Sequence, residues 1–393
     1  MITKLRIQNF KALRDVEIDL TPIHVLIGPN DSGKTSILDA LAALCRSVDH
    51  NLSPAFLGSW KDRELVWAGE PCASVVIEAN LDHEVIAGYT ISVGFAQGRR
   101  LAAPNRKIVR TRDKDYDSLV EAVQENEEFW PVDCPDVFLR VPDDISSLLR
   151  GLLGGVHLYR WEPRFLALPV APDTKRSFRM ESNGFGLALC LDEILSYSRE
   201  QFVKLEKRFT DVFPHIHSIV LQQESAYRAP VDAPEQVTML EKADGKGLYF
   251  RLHSGHQLIP ASQASDGTLL VLAYLTVLYL PKPPRVLLVE EPENGIHPKR
   301  LRDVLTILRE LISEQSHTQV LLTTHSPYVV DLFEPEEVTL CTKLDNGEVK
   351  TTRLSESPTV RKQIDVFTLG EIWTAEEDET IANTTEPVEG SPE

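Results

Sequence analysis

Gly28-Pro29-Asn30-Asp31-Ser32-Gly33-Lys34-Thr35 is a complete G-x-x-x-x-G-K-[ST] phosphate loop. Ile23-His24-Val25-Leu26-Ile27 precedes it and reads as a buried strand, and Ser36 to Leu44 follows as an amphipathic helix. Strand, glycine-rich loop and helix together aim backbone N–H groups and a helix N-terminus at a polyphosphate. Gly28, Pro29, Asn30, Asp31, Ser32, Gly33, Lys34, Thr35 and Ser36 are therefore the candidate phosphate-binding residues. Lys34 would reach the β- and γ-phosphates, and the Thr35 hydroxyl would hold Mg²⁺.

The chain has 393 residues, 42% hydrophobic and 25% charged, an ordinary composition for a globular protein with one large or two smaller domains. No apolar run reaches the ~18–20 residues that cross a bilayer, and Ile2 to Phe10 opens on a strand-like stretch without a signal-peptide pattern. Cys45, Cys72, Cys134, Cys190 and Cys341 are scattered, without a C-x-x-C pair. That spacing predicts reduced thiols in a cytoplasmic protein and no structural zinc. A net charge of −18 argues against a dedicated nucleic-acid coat, because such affinity comes from neutralising phosphates. Two basic clusters stand out locally: Arg99, Arg100, Arg106, Lys107, Arg110, Arg112 and Lys114, and Arg160, Arg164, Lys175, Arg176 and Arg179. Each reads as a solvated loop surface before it reads as a nucleic-acid track.

Strands are expected at 2–8, 15–20 and 23–27, a hairpin at 74–81 and 89–95, a helix at 143–153 and a short strand at 156–159. Leu187 to Phe213 carries the longest helical pattern of the middle region, too short for a coiled-coil arm. Asp244-Gly245-Lys246-Gly247 reads as a hairpin turn between strands at 237–241 and 248–252. From Ser262 the order becomes helix, strand, helix, strand, which argues for a parallel sheet with crossover helices. Residues 374–393 are acidic and poor in apolar side chains, so a disordered tail is expected there.

Arg285-Val286-Leu287-Leu288-Val289-Glu290-Glu291-Pro292 reads as a buried strand ending on two carboxylates. Ligand sites of open α/β sheets lie beyond the carboxyl ends of strands. Glu290 would join the Mg²⁺ shell, and Glu291 would polarise an attacking water. Val320 to Thr324 is a second buried strand, ending on His325, which is placed to hydrogen-bond a γ-phosphate. Ser265-Asp266-Gly267 opens a helix as an N-cap with anion-binding potential. Thr342-Lys343-Leu344-Asp345 imitates a GTPase base-specificity motif, but Asn346-Gly347 and a second β-like run at 348–354 make it a hairpin.

These segments, in this order, resemble the ATP-binding-cassette ATPases of the SMC and RecF type, and within them the OLD/RecF-like single-chain AAA family ATPases. The resemblance covers about 1–46 and 262–340. Ile7 to Ala12 looks like the family's N-terminal "NF[KR]" strand, and Glu290 to Pro298 like its extended Walker B and D-loop. It implies an α/β P-loop NTPase with an ABC-type head (1–46 and 262–370; a mixed central sheet flanked by helices) and an inserted α+β or helical lobe (47–261) for partner or DNA contacts. It also implies ATP and Mg²⁺ as ligands, Lys11 near the nucleotide, and Ser265 and Gly267 in a signature motif that contacts the γ-phosphate of a second subunit. A homodimer or higher even-numbered oligomer follows. Glu290 stands where the family usually has Asp, no Q-loop glutamine is placed, and 47–260 matches no motif.

The implied function is ATP hydrolysis coupled to DNA repair or anti-phage defence, with DNA and a separate effector such as a nuclease as partners. No Toprim-like acidic cluster or H-N-H pattern follows the ATPase segments. The alternative is an ATP-clamped scaffold that rarely turns over and touches no DNA. A transporter engine fits less well, because the signature lacks the transporter form and the large middle insertion is atypical; no membrane partner is expected.

Overall fold

The computed structural model describes residues 1–50, 52–56, 65–68, 74–94, 96–97, 100–101, 106–112, 119–122, 142–172, 180–228, 241–255, 257–315 and 318–383. Two compact units emerge: residues 1–156, 285–288 and 319–393 in the first, and 157–284 with 289–318 in the second.

Among the described residues, unit 1 carries two main sheets and a two-stranded ribbon. One is antiparallel, in the order β2-β1-β4-β5-β8-β9, from β1 (Ile2–Phe10), β2 (Leu13–Asp19), β4 (Val75–Leu81), β5 (Ile86–Val93), β8 (Arg106–Thr111) and β9 (Leu119–Ala122). A two-stranded ribbon, β6 (Ala96–Gln97) and β7 (Arg100–Leu101), accompanies it. β4 and β5 pair as the expected hairpin. β1 alternates as a half-buried strand should: Leu5 and Ile7 face inward, while Lys4 and Arg6 reach across to Glu17 (2.6 Å) and Asp15 (2.9 Å).

The other sheet centres on β3 (Ile23–Ile27), flanked in parallel by β15 (Gln319–Thr323) and β16 (Val338–Lys343). β17 (Val349–Arg353) closes one edge antiparallel to β16, through the hairpin anticipated at Asn346-Gly347. β14 (Val286–Glu290) begins in this unit beside β15, where the Gln319 amide donates to the Arg285 carbonyl at 2.8 Å. Every residue of β3 and β15 is buried, the continuous pattern of parallel strands covered on both faces. β3 even buries His24, whose ring nitrogens meet the hydroxyls of Thr21 (3.1 Å) and Thr339 (2.9 Å). Desolvation lowers its pKa to about 3, so the ring is neutral.

α1 (Lys34–Arg46), α2 (Leu52–Ala55), α3 (Asp143–Leu153), and the short C-terminal helices α9 (Pro327–Val330), α10 (Pro358–Gln363), α11 (Leu369–Ala375) and α12 (Asp378–Ile381) complete unit 1. The last two correct the expectation of disorder from residue 374. Thr368 and Glu371 form a capping box that starts α11, and Ile381 of α12 is fully buried. The Ala382 carbonyl accepts from Lys350 Nζ at 2.8 Å, tying this segment to β17. Residues 384–393 lie outside the described residues.

Unit 2 is built around α7 (Asp266–Tyr279). Residues 268–279 of this helix are all buried, the signature of a helix apolar on every face and enclosed by neighbours. Around it pack α4 (Pro163–Leu166), α5 (Leu187–Tyr197), α6 (Arg199–Val212) and α8 (Pro298–Gln315). β10 (His157–Tyr159) also belongs here, with an antiparallel sheet of β11 (Ile216–Arg228), β12 (Glu241–Leu252) and β13 (Leu258–Pro260).

Two expectations fail in unit 2. The helical pattern from Leu187 to Phe213 is two helices, because Ser198 leaves helical geometry (φ −152°, ψ 103°) and caps α6 by accepting from the Gln201 amide at 3.4 Å. The supposed turn at 244–247 lies inside β12, with Asp244 to Gly247 paired to Ser225 to Gln222 of β11. Its glycines serve close approach instead of reversal. A Cβ on Gly245 would sit 2.2 Å from the Val170 carbonyl, and Val170 exchanges two 2.8 Å backbone hydrogen bonds with Lys246. The strand expected from 237 falls outside the described residues except for its last residue.

Candidate functional site

The candidate phosphate-binding residues lie in unit 1. β3 delivers the chain at Ile27 into Gly28 (φ 136°), and the loop ends on Gly33 (φ 87°), the N-cap of α1. Gly28 has no alternative, since a Cβ there would stand 2.2 Å from the Cys341 carbonyl of β16. Lys34 is buried, and its ammonium lies inside the loop, donating to the carbonyls of Gly28 (2.9 Å) and Pro29 (2.7 Å) and to Ser32 Oγ (3.3 Å). Thr35 is exposed at the start of α1. Asp31 takes a positive φ of 66° and forms an ion pair with Lys343 of β16.

The β3–β15 register sets Thr323 opposite Leu26, and the Thr324 amide donates to the Leu26 carbonyl at 3.1 Å. His325 therefore leaves the sheet at the end from which the phosphate loop departs. Lys11, also at positive φ (51°), contacts Asp39 of α1 at 2.6 Å. That link joins the N-terminal strand to the helix that carries Lys34. Sequence reasoning passed over Asp39, and it also missed Asp378 of α12. Burial pushes the Asp378 carboxyl up, while the Trp373 N–H (3.1 Å) and the positive charge of Lys34 oppose the shift.

The candidate acidic residues lie in unit 2. Glu290 ends β14 with little exposure, and both of its carboxylate oxygens face the Arg160 guanidinium: Nε–Oε2 is the short contact, and Nη2–Oε1 is 3.4 Å. Glu291 follows at φ 45°, a left-handed conformation that costs a non-glycine residue about 1–3 kcal/mol. A turn sustains it. The Asn294 amide donates to the Glu291 carbonyl at 3.0 Å, and Asn294 Nδ2 donates to the Glu291 carboxylate at 2.6 Å. The 291–295 turn packs on the start of α7, where a Cβ on Gly267 would stand 3.3 Å from the Gly295 carbonyl.

Ser265 is the N-cap of α7, its Oγ 3.2 Å from the Thr268 amide and 2.7 Å from Thr268 Oγ1. Glu290, Glu291, Arg160, Trp161, Tyr274 and Asn294 line one cavity of about 250 Å³. Trp161 sits between Tyr159 (4.8 Å, tilted) and Tyr274 (4.5 Å, edge-on), and burial raises the Tyr274 pKa well above its usual value.

Of the two basic clusters, several described members are engaged within the fold. Arg110 pairs with Glu78 (2.6 Å), Arg112 with the carbonyls of His83 (2.7 Å) and Leu81 (3.3 Å), Lys107 with that of His50 (2.9 Å), and Arg164 with Glu162 (2.5 Å). Arg99, Lys114, Lys175, Arg176 and Arg179 fall outside the described residues. Cys45, Cys190 and Cys341 are buried free thiols with pKa raised to about 12; Cys72 and Cys134 also fall outside the described residues. Among the described residues, no group of three or more His, Cys, Asp or Glu is gathered to hold a metal ion, and no helix is long and apolar enough to cross a membrane.

A family model described as "AAA domain, putative AbiEii toxin, Type IV TA system" matches residues 23–331. The chain belongs to this AAA domain family. The match runs from β3 through His325, so it takes in the phosphate loop, the α7 cap, Glu290 and Glu291. The OLD nuclease of Thermus scotoductus is 21% identical over 376 residues, a match covering 91% of this chain and 65% of that protein. The chain thus spans about two thirds of its relative's length. Among solved structures, an SMC head bound to the C-terminal winged-helix domain of ScpA superposes with a TM-score of 0.54 at 15% identity, covering 89% of this chain and 96% of that one. The fold of this AAA domain protein is accordingly the α/β P-loop, ABC-type ATPase head, and its class is the SMC/OLD-like one that its motifs resemble.

Proposed function

We propose that this protein hydrolyses ATP with Mg²⁺ and that ATP binding closes a dimer. The observation that carries this reading is the phosphate loop: two glycines that a Cβ would obstruct or strain, and a buried lysine ammonium held among loop carbonyls, at the end of the sheet where His325 emerges. An ammonium held by neutral carbonyls is ready to exchange them for anionic phosphate oxygens, which are stronger acceptors. The donor chemistry fits Mg²⁺, a hard ion that takes oxygen ligands, through the Thr35 hydroxyl and the Glu290 carboxylate. When bound, Mg²⁺ neutralises charge on the β- and γ-phosphates.

The chain's own residues do the rest. Gly28 to Ser36 hold and orient the phosphates, and Lys11 approaches the nucleotide. Glu291, held in its strained conformation by Asn294, accepts the proton of the attacking water. His325 hydrogen-bonds the γ-phosphate and reports its presence. Ser265 and Gly267 contact the γ-phosphate held by a second copy, so its loss on hydrolysis removes the bridge and the dimer loosens.

The output of this cycle is work on DNA, in repair or anti-phage defence, with a separate effector such as a nuclease. The family description and the nuclease relative support that direction. Glu291→Gln tests the core of the reading. Hydrolysis should fall by roughly 10²–10⁴-fold, while size-exclusion chromatography in ATP and Mg²⁺ should show a persistent dimer. A monomer with wild-type ATP affinity would remove the ATP-gated dimer. Unchanged hydrolysis would remove Glu291 as the base.

A further inference from the structure

Arg160 was visible in the sequence only as one of several scattered cations, and the structure gives it a particular partner. It follows β10, and its backbone is fixed, the Arg160 amide donating to the Ser182 carbonyl and the Glu162 amide to the Asn183 carbonyl, both at 2.9 Å. Trp161 beside it is wedged between Tyr159 and Tyr274. From this rigid base the guanidinium reaches Glu290, 130 positions away in the chain, and lies across both carboxylate oxygens. Glu290 retains 18% side-chain exposure and Arg160 47%, so the carboxylate is mostly covered and the guanidinium covers it from the solvent side.

A guanidinium keeps its proton at any pH a protein meets, and its fork matches a carboxylate in a way that an ammonium does not. The guanidinium therefore lies on the carboxylate through which Glu290 would serve a hard divalent cation, and it offsets the charge of Glu290. Chloride-strength screening weakens exposed pairs, but here one partner is largely shielded and the contact is two-point.

We infer that Arg160 is a positioning residue for Glu290: it holds the carboxylate in place while no metal is bound and must be displaced when Mg²⁺–nucleotide arrives. This rests on the reading above that Glu290 serves the Mg²⁺ shell. The exchange makes the β10 segment responsive to the state of the site. Metal binding releases a cation on a short loop anchored by Trp161, and metal departure recaptures it. No proton or bond is transferred, and one electrostatic partner replaces another.

The test is equilibrium binding of a fluorescent, non-hydrolysed ATP analogue as Mg²⁺ is titrated, with full-length wild type, Arg160→Ala, Arg160→Lys and Glu290→Gln. Removing a competitor worth a charge-assisted pair should lower the Mg²⁺ concentration for half-maximal binding of Arg160→Ala by roughly 5- to 10-fold. Arg160→Lys, which keeps charge but loses the fork, should fall between Arg160→Ala and wild type. Analogue affinity without Mg²⁺ should be the same in all three.

If the Mg²⁺ midpoint of Arg160→Ala equals that of wild type, or rises, the inference is wrong and Arg160 does not compete for Glu290. Should Arg160→Ala fail to fold, Arg160→Lys decides alone, a midpoint at or above the wild-type one counting against. If wild type shows no Mg²⁺ dependence, or Glu290→Gln shows the wild-type one, the assignment of Glu290 to the metal fails first. That outcome differs from a failure of the Arg160 step, in which both controls behave as expected.

Discussion

The two groups of candidate residues, one in each unit, are held by different physics. In unit 1 the phosphate loop is fixed by backbone: glycines at positions a Cβ cannot share, and carbonyls that take the Lys34 ammonium. In unit 2 the acids are fixed by side chains: Glu290 by Arg160, and Glu291 by Asn294 against an unfavourable φ. Backbone constraints are all-or-none, because the surrounding strands over-determine them. Side-chain pairs are exchangeable, and each costs only about 1–3 kcal/mol to lose. On the proposed reading, the first group would receive the same ligand every time and the second would change partners during a cycle.

Gly28→Ala strikes the rigid group hardest. A methyl group 2.2 Å from the Cys341 carbonyl forces β16 or the loop to move. The expected cost is about 3 kcal/mol of unfolding free energy, with loss of nucleotide binding, read by denaturant titration and analogue fluorescence. A variant as stable as wild type that still binds nucleotide would show that the loop is softer than its contacts imply.

The next effect comes from the strand beneath the loop. The His24 pKa is lowered to about 3 by burial, whereas an unfolded histidine titrates near 6.5. Below pH ~6.5 the unfolded state binds the extra proton, so stability is complete above that value and falls as pH drops toward 3. Between pH 6.5 and 5 the loss attributable to His24 should approach about 2 kcal/mol. His24→Gln, which keeps an amide between Thr21 and Thr339, should flatten that part of the curve. An unchanged slope in urea melts across this range would show that other groups dominate it.

The same contrast governs what was legible in the sequence. Backbone-determined features have local signatures, so the phosphate loop, the buried strands β3 and β15 and the α7 start were readable from a few consecutive residues. Arg160 was not, because its partner is 130 positions distant and an arginine after a short strand has no pattern of its own. The glycines of β12 misled because Asp-Gly signals a turn locally, while the approach of Val170 that explains them is tertiary. The C-terminal helices were half visible: Thr368-x-x-Glu371 is a capping box, but the burial of Ile381 depends on packing that composition does not record.

In the exchangeable group, Asn294→Ala removes the hydrogen bond to the Glu291 carboxylate. The turn keeps its backbone hydrogen bond, so stability should fall by only about 1 kcal/mol. Hydrolysis should fall by roughly 10-fold with little change in ATP affinity, because the carboxylate loses its orientation and not its charge. Equal losses in affinity and turnover would place Asn294 in nucleotide binding instead.

The smallest expected effect separates two readings of Ser265. As the N-cap of α7, its Oγ holds the Thr268 amide. Ser265→Ala should cost about 1 kcal/mol, and Ser265→Asn only a few tenths, since asparagine caps as well as serine. If capping is its whole role, Ser265→Asn behaves as wild type in ATP-dependent dimerisation. If Ser265 also meets a γ-phosphate across a dimer, the bulkier amide keeps stability and loses the dimer. A thermal melt that matches wild type, beside a sedimentation profile that stays monomeric in ATP, is the result that assigns the second role. It would also extend the contrast between the groups, because a residue rigidly placed in its own chain would then owe its function to another copy.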